Sequence, residues 1–99
     1  MTMRDQERLA AVTAVVTRAV NQTDPMGLLS IGAPDDEYEP EIRELVAGLG
    51  DAWPDPMAVL RLCESVFSHF FGARYVDAKR MRRLAGRIVM GLRELERTR

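Results

Sequence analysis

Residues 40–49 read PEIRELVAGL, and in them Ile42, Leu45, Val46 and Leu49 fall at steps of three, one and three. That spacing puts all four on one face of an α-helix. Pro40 suits a first helical turn, where its missing N–H would be unpaired in any case. Glu39 and Glu41 place negative charge at the positive end of the helix dipole. Gly48 or Gly50 is the expected stop. The same period repeats outward in both directions. Upstream, Leu9, Val12, Val16, Ala19 and Val20 predict a helix over about 3–20, with Arg4, Glu7, Arg8 and Arg18 away from the apolar face and the exit beginning at Asn21 and Gln22. Downstream, Asp55-Pro56 signals a start. Val59, Leu60, Cys63, Val66, Phe67, Phe70 and Phe71 then give a wide apolar arc over 56–71, as for a helix with two neighbours, and Gly72 ends it. Asp77 is the expected cap of a fourth helix, whose buried stripe is Met81, Leu84, Ala85, Ile88, Leu92 and Leu95. No strand pattern appears. The fold class is therefore all-α, a compact four-helix array in one domain of 99 residues.

Between the first two helices, residues 23–39 break the period: TDPMGLLSIGAPDDEYE. Two Gly and two Pro argue for an ordered irregular connection. Asp24-Pro25 can open a short turn through Met26–Leu29, and Gly32-Ala33-Pro34 should redirect the chain. This segment, Asp24-Pro25-Met26-Gly27-Leu28, then Gly32-Ala33-Pro34, then Asp35-Asp36-Glu37-Tyr38-Glu39-Pro40-Glu41-Ile42, resembles the YugE-like family. Those are small all-helical bacterial proteins of unknown function with a WDPxG…GxPxDEYD-type segment between their first two helices. The resemblance covers about residues 5–72, and its specific part is residues 24–42. Thr23 stands where the family often has Trp, and Glu39 where it often has Asp. The resemblance implies a helical fold and no activity. It is compatible with an immunity-type protein that neutralises a toxin.

Charge is divided along the chain. Fourteen Lys and Arg against fifteen Asp and Glu give a net of −1. Residues 24–55 hold nine acids and only Arg43, while residues 74–99 hold nine basic residues and three acids. The first region is an acidic loop with its flanking helix starts; the second is a basic helix face. The acids Asp24, Asp35, Asp36 and Glu37 with Tyr38, and Arg80, Arg83 and Arg87 opposite them, are the candidate partner-binding residues. Complementary charge of this kind steers association. Pairing within the chain, a homodimer and a foreign protein partner are all compatible with it.

Other chemistries fit less well. The acids lack the spacing of a helix–loop–helix Ca²⁺ site, so they read first as helix caps and a solvated face. Tyr38 reads as a ring laid on apolar surface with its hydroxyl wet or bonded to backbone, and direct contact with a ligand is the other reading. Cys63 and His69, six residues apart on one helix, lie about 120° apart around it and cannot form a nucleophile–base pair. Cys63 reads as a core residue and His69 as a boundary one. A third helix, a short turn and a basic fourth helix loosely resemble a helix-turn-helix, but that helix has no Asn, Gln, Ser or Tyr to read base edges, and the rest of the chain is acidic. Nucleic acid is therefore not the expected partner. No run is long and apolar enough to cross a membrane, and one cysteine excludes an intrachain disulfide. The expectation is a non-catalytic, cytoplasmic interaction protein needing no cofactor or metal.

Overall fold

The computed structural model describes residues 3–98, with the side chains of Met3 and Arg4 outside the description, and with them the expected placement of Arg4. Among the described residues there are four α-helices and no strand: α1 (Met3–Thr23), α2 (Glu39–Ala52), α3 (Pro56–Phe71) and α4 (Ala78–Arg97). One turn of 3-10 helix, Ala73–Tyr75, precedes α4. Each helix packs on its sequence neighbours, and α1 closes the ring against α4. The start of α1 shares a groove with the ends of α2 and α4, whereas its last residue, Thr23, meets Arg87. The start of α3 likewise shares a groove with Val89, Met90 and Arg93 on the later part of α4. Neighbouring helices thus run antiparallel, as the short links between α2, α3 and α4 favour.

The caps explain the boundaries. Asp55 accepts a hydrogen bond from the Met57 N–H at 3.0 Å, and Asp77 accepts one from Arg80 N–H at 2.9 Å. Both are the acceptor role that free N–H groups at a helix start require. Gly72 ends α3 at φ +91°, a left-handed conformation that favours glycine. Two expected ends differ. The first helix does not leave at Asn21 but runs to Thr23, and Asp24 ends it at φ +49° with its N–H still bonded to the Val20 carbonyl. The second helix passes through both Gly48 and Gly50 to Ala52. Gly48 is a packing position: a Cβ there would lie 2.5 Å from Leu62 Cδ1 on α3.

The core joins Val16, Ala19 and Val20 of α1, Ile42, Leu45 and Leu49 of α2, Val59, Cys63, Val66 and Phe67 of α3, and Met81, Leu84, Ala85, Ile88, Val89 and Leu92 of α4. The stripes read from the sequence supply most of these. Leu9 and Phe70, expected inside, are 45% and 41% exposed. Leu9 belongs to the open groove at the end of the bundle, and Phe70 lies edge-on to the exposed His69 ring. Tyr38, outside any helical stripe, is wholly buried and stacks at a tilt on Phe67 with ring centroids 6.1 Å apart.

Candidate partner-binding surfaces

The connection between α1 and α2 is built around one carboxylate. Asp24 turns the chain out of α1, and its side chain then accepts from the Leu29 N–H and the Ser30 N–H, each at 3.0 Å. The Tyr38 hydroxyl donates to Asp24 Oδ1 at 2.6 Å and accepts from the Met26 and Leu28 N–H groups. Ser30 Oγ donates to the Gly27 carbonyl at 2.8 Å. Gly27 and Gly32, at φ +72° and +99°, supply the left-handed turns that the loop needs. Backbone bonds from Gly32 N–H to Leu29 and from Ala33 N–H to Leu28 close the redirecting turn.

Electrostatics follow from this geometry. Partial burial pushes the Asp24 carboxyl upward, but the bonds from Tyr38, Leu29 and Ser30, helped by the Arg80 charge, outweigh it and hold the group below its ordinary 3.8. Burial, with the bond to Asp24, pushes the Tyr38 phenol up to about 12. Glu41 is buried with Oε2 unpartnered; that burial, and the nearby Glu37 charge, raise its carboxyl above the ordinary value.

The candidate residues therefore fall into two groups. Asp24, Tyr38, Arg80 and Arg87 are tied into the fold. Arg80 donates to the Pro25 carbonyl at 3.2 Å, and Arg87 to Thr23 Oγ1 at 2.8 Å, so α4 clamps the end of α1 and the loop's first turn. Asp35, Asp36, Glu37 and Arg83 are exposed. No ion pair joins the acidic loop to the basic face beyond that clamp: the ion pairs among the described residues are Arg43–Glu39 at 2.9 Å and Arg97–Glu94 at 3.4 Å, each inside one helix. Asp35, Asp36 and Glu37 thus face solvent uncompensated, and so do Lys79, Arg82, Arg83 and Arg93.

Two exposed apolar residues sit beside these charges and lie outside the stripes read from the sequence. Ile31, at the apex of the loop, is 81% exposed, and Met90 on α4 is 72% exposed. Ile31 interrupts a Ser-Ile-Gly run with no periodic partner, and Met90 lies off α4's buried stripe; those are the only sequence signals for them.

Cys63 is buried, and burial raises its thiol to about 12, which keeps it protonated and a poor nucleophile. His69 is exposed near the far end of the same helix. Among the described residues, no three His, Cys, Asp or Glu side chains are grouped to hold a metal ion, and no helix is long and apolar enough to cross a membrane. Comparison with protein-family models, curated proteins and solved structures gave no match to this chain.

Proposed function

We propose that this chain is a non-catalytic protein-interaction module of the bacterial cytoplasm, with the acidic loop and the basic outer face of α4 as its binding surfaces. The observation that carries the reading is the uncompensated charge on both: Asp35, Asp36 and Glu37 on a loop fixed from within, and Lys79, Arg82, Arg83 and Arg93 on α4, with no ion pair between the two sets. Leaving like charges clustered and unpaired works against folding stability, and a partner of opposite charge relieves it. A loop already ordered by Asp24 and Tyr38 also loses little freedom on binding. The bacterial and cytoplasmic parts rest on the resemblance of residues 24–42 and on a single cysteine that cannot form an intrachain disulfide.

The test is affinity capture with mass-spectrometric identification, comparing the native chain with Asp35→Lys/Asp36→Lys/Glu37→Lys and with Arg82→Glu/Arg83→Glu. All five positions are exposed, so circular dichroism should be unchanged. Loss of captured proteins, or of self-capture by a differently tagged copy, is the expected result. Retention of every captured protein by both variants would sink the reading.

A further inference from the structure

The groove between α3 and α4 is a cavity of about 320 Å³ with Pro56, Leu60, Val89 and Met90 along it and Arg82 and Arg93 flanking it. It is an apolar trough with a cation toward each end. The α1–α2 loop offers its chemical complement: the exposed Ile31, then the Gly32-Ala33-Pro34 turn closed by backbone bonds to Leu29 and Leu28, then the exposed Asp35, Asp36 and Glu37. We infer that this groove receives residues 31–37 of a second copy of the same chain, Ile31 against Met90 and Leu60 and the acids against Arg82 and Arg93. The inference rests on the interaction reading above and names its partner.

A chain cannot fill its own groove. Its loop is tied to α4 through Arg80 and the Pro25 carbonyl. Arg82, two residues on, points about 200° away around the helix, and Met90 lies about 15 Å farther along it. Loop and groove therefore occupy different sides of α4. Each copy carries one loop and one groove, so two chains can satisfy both at once in a closed, two-fold arrangement. Three acids against the groove arginines supply orientation, and Ile31 and Met90 supply apolar burial that neither makes alone.

The test is the mass of the full chain in solution, by light scattering and sedimentation, across concentration at low and high salt. A dimer at low salt is expected, with its dissociation constant at least about tenfold weaker at high salt because exposed charges are screened. Ile31→Arg and Met90→Asp, both at exposed positions, should each give a monomer with unchanged circular dichroism. Arg82→Glu/Arg93→Glu should also be monomeric, and mixing it with Asp35→Arg/Asp36→Arg should restore a heterodimer. A chain that is monomeric at all salts overturns the inference, as does a dimer insensitive to these changes. If the monomeric chain still loses a captured foreign protein through Arg82→Glu/Arg93→Glu, the groove belongs to that protein: self-association fails and the interaction reading stands.

Discussion

The Tyr38 hydroxyl lies 2.6 Å from Asp24 Oδ1, fourteen residues back in the chain, and closes the α1–α2 connection from the inside. One phenolic oxygen donates once and accepts twice, so a single buried side chain satisfies the Met26 and Leu28 N–H groups and also bonds the carboxylate that holds Leu29 and Ser30. Tyr38→Phe keeps the ring against Phe67 but strands the Met26 and Leu28 N–H groups and removes a donor from a carboxylate. The expected loss is about 2 kcal/mol, because a bond to a charged group exceeds a neutral one and unpaired buried groups add to it. Ser30→Ala, which removes one exposed bond to the Gly27 carbonyl, should cost under about 1 kcal/mol. Denaturant midpoints for the two variants would decide the order; equal values would mean the loop does not depend on the phenol.

The same pair sets opposite pH limits. Asp24 has a folded pKa below the ordinary 3.8, so its contribution is present above that pH and is lost as pH falls through the folded value. Tyr38 has a folded pKa raised from 10.0 to about 12, so its contribution is complete below 10.0 and disappears as pH rises toward 12. Asp24→Asn should therefore be less stable than the native chain at neutral pH and converge on it under acid. A gap that persisted unchanged below the Asp24 pKa would show that the carboxylate's charge contributes nothing.

Glu41 runs the other way. Its carboxyl is raised above the ordinary 4.5 by burial first and by Glu37 second, and its Oε2 has no hydrogen-bond partner. Relative to the unfolded chain, the folded state favours the protonated form. The ionised form lowers stability progressively as pH climbs from 4.5 through the folded pKa. Glu41→Gln keeps the shape without the charge. The variant should match the native chain below 4.5 and exceed its thermal midpoint by a few degrees at neutral pH. A variant less stable than native at neutral pH would mean that Glu41 has a cationic or donor partner in solution.

How far these contacts could be read in advance depended on their range along the chain. The bounds of α3 follow from Asp55-Pro56 and Gly72, because capping is chemistry between neighbours. The core face of α4 follows from its period, and so does most of α2. Tyr38 could be placed only as a ring seeking cover. That its hydroxyl would find Asp24 depends on how the loop closes, which no local pattern encodes. Arg80 and Arg87 look in sequence like members of a free basic face. Their partners, Pro25 and Thr23, are 55 and 64 residues away, so only the packing of α1 on α4 ties them down, leaving Arg87 half-buried and Arg80 exposed but anchored. The role of Gly48 has the same long-range origin. In sequence it resembles a stop, while in the fold it is a gap into which Leu62 fits.

Glycines within helices separate these two uses by experiment. Gly50 lies in α2 and Gly91 in α4, both without a positive φ. A Cβ at Gly50 meets nothing within 4 Å, so Gly50→Ala should stabilise by about 0.5–1 kcal/mol through reduced freedom of the unfolded chain. A Cβ at Gly91 would lie 2.5 Å from Val15 Cγ1. Valine is β-branched and held to few rotamers, so it cannot swing aside as a longer side chain would. Relief must come from moving α1 away from α4, at a cost of about 1–3 kcal/mol. Gly91→Ala should therefore destabilise despite alanine's higher helix propensity. Pairing it with Val15→Ala should recover part of the loss, in a double-mutant cycle with positive coupling. Additive effects of the two changes would show that α1 and α4 do not approach at this point.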